Sequence, residues 1–181
     1  MTSPPIPTRR MTTDRLVLRP TCGSDADRAF EIQSDRDVTR MLRMASFPPD
    51  RDELRSWIAD HRREWMAGEA YRFAVERVGR IIGFVDVDEI AHGEGDLGYW
   101  FERISWGRGY ATEAAQAVVR FAFDEARLAG LRSGHAIDNA ASASVLLRLG
   151  FRPLDTVQQA YRSRGASVVH RRCFLPGGQG A

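Results

Sequence analysis

Hydrophobic and polar positions alternate at 14–20 (DRLVLRP), 71–76 (YRFAVE), 80–88 (RIIGFVDVD) and 95–102, and each run is expected to form a strand. Pro20 ends the first. Ser24 and Asp27 read as the N-cap and first-turn acid of a helix reaching about Ser34. Asp37 to Met44 allows another helical turn or two before Pro48 and Pro49 break the chain. From Asp50 the period is helical: Asp50 and Glu53 stand in capping-box spacing, and Leu54, Trp57, Ile58, His61 and Trp65 recur on one face until Gly68. The next three strands, linked at Val78-Gly79 and at His92-Gly93-Glu94-Gly95, form an antiparallel meander, and Gly83 inside its strand marks a bulge.

The period then changes again. Ala111, Ala114, Ala115, Val118, Ala122 and Phe123 predict a helix over 110–129 stopped by Gly130, with small alanines that let it lie close against a sheet. A strand at 131–137, a helix at 140–149 ending at Gly150, and a final strand pair at 151–158 and 167–174 complete the chain. The sum is a mixed α/β fold, a sheet with helices on its faces. No internal repeat or second-domain boundary is visible. One domain is expected over 11–175, with a disordered leader at 1–10 and a disordered tail at 176–181.

The strongest chemical signal is Trp106-Gly107-Arg108-Gly109-Tyr110-Ala111, between a strand and a helix. A helix start leaves backbone N–H groups without partners, backed by the positive end of the helix dipole. Glycines let a bulky anion approach without a Cβ in the way, which suits a pyrophosphate, and Arg108 can add a charge-assisted contact. A plain connecting turn is the rival reading. A dinucleotide-binding βαβ unit fits poorly, because Thr112 stands where its third glycine belongs and a meander precedes it.

Composition narrows the chemistry. All 26 basic residues are arginine, so a Walker-type phosphate loop and Schiff-base catalysis are excluded. A net charge of +2 does not imply nucleic-acid binding. Cys22 and Cys173 lie far apart, and His61, His92, His135 and His170 lack ligand spacing, so neither a disulfide framework nor a metal site is expected. With no membrane-length apolar run and no secretory signal, cytosol is the expected compartment and no membrane partner is implied.

The hexapeptide resembles the acetyl-CoA motif of the GNAT superfamily, Q/R-x-x-G-x-G/A, with Gly109 and Ala111 at its last two defined positions. Trp106 departs from the usual Gln or Arg. That departure is similar to the RimJ/RimL branch of ribosomal-protein N-acetyltransferases, as are Gly98-Tyr99-Trp100-Phe101, the run from Trp106 to Ala114, and Asn139 and Ser142 followed by Gly150-Phe151. The resemblance covers about residues 12–175. It implies a GNAT fold: a mostly antiparallel sheet of about seven strands, splayed in the middle and flanked by about four helices. It implies acetyl-CoA as co-substrate, with pantetheine along the backbone near Tyr99 and Phe101. The pyrophosphate would meet the N–H groups from Gly107 to Thr112, including those of Arg108, Tyr110 and Ala111, beside Trp106. Asn139 would bond the pantetheine arm or order its loop.

Many GNAT enzymes carry a tyrosine acid four residues before the Gly-Phe pair. Leu146 stands there in this chain, and Ser142 is the substitute the branch suggests. A self-bonding first-turn serine is its alternative. For the general base Asp96 ranks first, with Asp86, Asp88, Glu89 and Glu76 as rivals; strand alternation places Asp86 and Asp88 on one face and Glu89 on the other. Glu113 reads as a helix-start acid. The implied reaction is acetyl transfer to a primary amine, either a protein N-terminus or a small molecule, by a monomer or homodimer. The alternative is an acyl-CoA-binding regulatory module without turnover, for which Leu146 is the argument.

Overall fold

The computed structural model describes residues 9–178. Residues 1–8 of the expected leader and 179–181 of the expected tail lie outside the described residues, whereas Pro176 ends the last strand and the Gly177 N–H bonds the Ala129 carbonyl (2.8 Å), so the tail begins later than expected. In chain order the elements are β1 (Met11–Thr12), β2 (Val17–Pro20), α1 (Ala26–Gln33), α2 (Arg36–Thr39), α3 (Arg51–Ala67), β3 (Tyr71–Arg77), β4 (Arg80–Ala91), β5 (Glu94–Phe101), α4 (Tyr110–Asp124), β6 (Gly130–Ala136), α5 (Ala140–Arg148), β7 (Arg152–Tyr161) and β8 (Ala166–Pro176). They build the expected GNAT fold around one sheet of eight strands in the order β1-β2-β3-β4-β5-β6-β8-β7. The strand beyond the expected seven is the two-residue β1.

Every neighbouring pair is antiparallel except β5 and β6. Those two run parallel and pair only over Glu94↔Gly130, Gly95↔Leu131 and Asp96↔Arg132. Beyond Asp96 they part, while β5 stays paired with β4 as far as Gly83↔Phe101. The Ser133 hydroxyl donates to the Leu97 carbonyl (2.8 Å) at the point of the fork.

Two apolar layers cover the sheet. Val85, Val87, Leu97 and Phe101 pack with Ala114, Ala115, Val118 and Phe121 of α4. Ala74, Phe84 and Trp100 pack with Ala29 and Ile32 of α1 and Ile58 of α3. Residues of the meander therefore alternate between an α4 face and an α1–α3 face.

Local chemistry explains both ends of α3 and the irregularity in β4. Asp50 accepts from the N–H groups of Asp52 (2.8 Å) and Glu53 (3.0 Å) to open α3, and Gly68 closes it at φ +69°. In β4, Val75 pairs with Gly83 but Glu76 pairs with Ile81, so the bulge expected at Gly83 is present, with Ile82 as the extra residue. A Cβ on Gly83 would fall into the Phe101 ring.

Several boundaries differ from the sequence reading: β4 and β7 run on to Ala91 and Tyr161, and the N-cap of α1 is Asp25, not Ser24, which lies in a short 3-10 turn before it. The first strand is shorter, because the Thr13 N–H closes a turn onto the Leu16 carbonyl at 2.9 Å. The second helical stretch is the single α2, which stops at Thr39. The helix expected to reach 129 ends at Asp124, and Arg127 takes φ +58°. Gly130 does not cap it. That glycine opens β6, where a Cβ would lie 2.6 Å from the Phe174 ring, so close packing in the sheet demands it.

Candidate active site

A cleft of about 1140 Å³ passes through the fork between β5 and β6. It runs from the start of α4, past Tyr99 and the first turn of α5, to Asp86, Asp88 and Asp96 on the α1–α3 face.

At its α4 end, Gly107 (φ +71°) and Gly109 (φ +79°) are both left-handed. The first intrahelical bond is Glu113 N–H to Gly109 O (3.0 Å). Among the described residues, no hydrogen-bond acceptor meets the N–H groups from Gly107 to Thr112. The Thr112 hydroxyl is likewise buried without a partner. Arg15 stands beside this loop, donating to the Arg108 carbonyl (3.0 Å) and pairing with Glu113 (2.6 Å). Glu113 also accepts from Thr13 Oγ1 (2.6 Å), so its work is to tie the segment between β1 and β2 to the helix. The Tyr110 ring is buried between Arg15 and Arg77, which leaves its main chain alone for the cleft. Arg108 is exposed, with Nε held by the Ile104 carbonyl (3.2 Å).

Along β5 the unpaired edge is regular. Leu97 O faces Ser133, and the Trp106 indole N–H donates to Phe101 O (2.9 Å) on the same side. The Glu102 N–H, by contrast, bonds Ile82 of β4. By strand alternation, Tyr99 N–H and C=O and Phe101 N–H point into the fork, where β6 no longer reaches them. Trp106, proposed at the cofactor site, thus also occupies the last carbonyl of that edge.

Across the fork stands α5. Asn139 is its N-cap, accepting from the Ser142 N–H (3.1 Å), so the loop-ordering role is the one its geometry supplies. The Ser142 hydroxyl lies 2.8 Å from the Tyr99 hydroxyl rather than bonding its own helix. Leu146 is 2% exposed and belongs to the core.

The α1–α3 face carries the acids. Asp86 lies opposite Gly98, and Asp88 lies opposite Asp96. A Cβ at Gly98 would meet Asp86 Oδ1 at 2.5 Å, so glycine is what allows Asp86 to lie over β5. Arg72 binds Asp86 (3.1 Å), Asp88 (2.9 Å) and Glu64 (2.8 Å) together. Burial and the Asp88 charge still hold Asp86 above the usual carboxylate range, against the pull of Arg72. Asp96 has no ion-pair partner among the described residues. Burial, then the facing Asp88 charge, pushes it up to about 6.

Two rival acids move. Glu76 pairs with Arg19 (2.6 Å), outside the cleft. Glu89 does not take the opposite face: a bulge beside it (φ +47°) breaks the alternation, and it lines the cleft with Asp88 while holding Arg43 at 3.1 Å.

The wall beside this acidic end, Met41 to Met44, is held in place from far along the sequence. The turn between β7 and β8 docks on the loop after α2, through Arg162 N–H to Arg43 O (2.8 Å), Ser163 Oγ to Leu42 O (3.0 Å) and Arg164 Nε to Arg40 O (2.7 Å). Nothing in the sequence pattern flagged these residues, or Ser133 and Arg72, because each acts through a partner remote in the chain.

Comparison with known proteins agrees with this geometry. The family described as an acetyltransferase (GNAT) domain matches residues 15–152. An uncharacterized N-acetyltransferase, p20, from Bacillus licheniformis is 27% identical over 161 residues, covering 86% of this chain and 89% of that protein. Among solved structures, RimL, a ribosomal L7/L12 α-N-protein acetyltransferase in complex with coenzyme A, superposes with a TM-score of 0.83 at 17% identity, covering 93% of this chain and 98% of its own. The ribosomal-protein-S5-alanine acetyltransferase of Vibrio fischeri gives a TM-score of 0.84 at 18% identity, covering 94% of this chain and 98% of its own. At those identities the likeness to the solved structures is one of fold.

Proposed function

This chain belongs to the GNAT acetyltransferase family, and from that premise we propose that it is a cytoplasmic N-acetyltransferase passing an acetyl group from acetyl-CoA to a primary amine by direct attack. The observation that carries the reading is a single cleft joining unpartnered N–H groups at a glycine-rich helix start to an unpaired strand edge and a half-buried acid without an ion-pair partner among the described residues.

The residues fit the co-substrate. The N–H groups from Gly107 to Thr112, with the Thr112 hydroxyl, hold the pyrophosphate. The main chain of Tyr99 and Phe101 pairs with the pantetheine amides, and an N–H on that edge polarises the thioester carbonyl. The amine acceptor, a protein N-terminus or a small molecule, approaches from the α1–α3 face. Its nitrogen forms a bond to the carbonyl carbon as the carbon–sulfur bond breaks. Asp96 takes the amine proton, directly or through water, and Ser142 donates a hydrogen bond to the departing sulfur, which leaves as thiolate and is protonated from solvent.

The test is a melting curve followed by a turnover assay. Saturating acetyl-CoA is expected to raise the melting temperature by about 5–10 °C. Free thiol is expected when a panel of primary amines and peptide N-termini is added. A thermal shift with no thiol release from any amine, between about pH 6 and 9, would mean a binding module without turnover.

A further inference from the structure

The position in which many relatives of this fold carry a tyrosine is filled by Leu146, sealed in the core at 2% exposure. A phenol nevertheless reaches this end of the cleft from the opposite wall. Tyr99 extends from β5 across the fork, and its hydroxyl lies 2.8 Å from Ser142 Oγ and 3.2 Å from Ser142 O. The serine backbone is already fixed, because its N–H is held by the Asn139 cap. Only the direction of its hydroxyl proton is left open.

Hydrogen-bond inventory limits that direction. The Tyr99 phenol has one proton and two acceptors in reach, the Ser142 carbonyl and the Ser142 hydroxyl. When the phenol donates to Oγ, the serine proton cannot point back at Tyr99 and is free to turn into the cleft that Ser142 lines. When the phenol donates to the carbonyl, its oxygen is open to accept the serine proton, which then has a partner on Tyr99. A shift of the phenol proton between two oxygens thus favours one direction of the Ser142 donor over the other. Burial pushes the Tyr99 phenol well up, so it stays a donor throughout the working range.

We propose that Tyr99 is a positioning residue for Ser142: its phenol sets the serine hydroxyl proton toward the sulfur as that atom gains charge. No proton leaves Tyr99 for the sulfur. The phenol only supplies the hydrogen bond that Ser142 Oγ loses when it turns. The inference rests on the acetyltransferase reading and adds to it the side chain of a residue otherwise used through its main chain.

A double-mutant cycle tests it. Tyr99→Phe keeps the ring and the strand but removes the donor. It is expected to lower kcat about ten-fold while leaving KM for acetyl-CoA and the acetyl-CoA thermal shift unchanged. Ser142→Ala is expected to lower kcat at least as much. In the double variant the loss should equal that of Ser142→Ala alone, because the phenol then has nothing to orient. Wild-type turnover in Tyr99→Phe, or losses that multiply in the double variant, would overturn the proposal. A wild-type protein that releases no thiol with any amine would overturn the acetyltransferase reading itself, so the two failures are told apart.

Discussion

Replacing Gly109 with valine is expected to abolish the thermal shift produced by acetyl-CoA. Gly109 stands at φ +79° as the N-cap of α4, where an L side chain is strained by about 1–2 kcal/mol. Its Cβ would meet Arg15 Nη2 at 3.4 Å, and the two branches of valine would stand where a phosphate must approach the N–H groups beside it. The strain alone lowers stability, so a control is needed. Gly79 has a similar φ of +72°, lies in the turn between β3 and β4, and has open space around a built Cβ. Gly79→Val should therefore melt at a lower temperature yet keep the full shift of about 5–10 °C, whereas Gly109→Val should melt lower and show none. A retained shift in Gly109→Val would remove the cradle from the account.

The second large effect concerns Asp96. Two carboxylates directly opposite on neighbouring strands repel. Asp88 has Arg72 at 2.9 Å to offset its charge, whereas Arg43 and Arg132 act on Asp96 only from beyond ion-pair distance. A base works ionised, so turnover should rise with pH through about 6, the value to which burial and Asp88 push Asp96, and level off above it. Asp96→Asn should cut kcat by about 10²–10³ and erase that rise. The same shift carries a stability signature of definite sign. Between its ordinary value and about 6, the folded chain holds a proton on Asp96 that the unfolded chain has lost. The contribution of this group to stability is therefore greatest at low pH, falls as pH rises through that window, and is constant above it. Asp96→Asn should remove that component from melting curves taken across the window. If the variant keeps the pH-dependent rise and Asp86→Asn loses it, the base is Asp86.

What was legible in the sequence was local. The cap at Asp50, the meander turns and the bulge at Gly83 are written within a few residues, and so is the glycine-rich start of α4. The fork was legible only through family resemblance. Its physical cause is that β6 returns parallel to β5 after α4 and keeps pace for three residue pairs, which no window of sequence contains. Asp86 meets Gly98 through strand register, and a slip of one position would face it elsewhere. Glu89 defeated the alternation argument because its backbone leaves the strand region at φ +47°. Gly130 misled for the opposite reason: a glycine after a helical run usually caps, but here the Phe174 ring claims the space. Ser142 was found by motif, while its partner Tyr99 was seen only as backbone, since the bond between them spans the fork.

Amide chemical shifts of the nitrogen-15-labelled protein, recorded as acetyl-CoA is added, test the grip on the diphosphate most directly. The largest movements should fall on the N–H groups from Gly107 to Thr112, with a second set at Tyr99 and Phe101. If those signals stay in place while binding is evident from others, the nucleotide is held elsewhere and the reading of this cleft is contradicted.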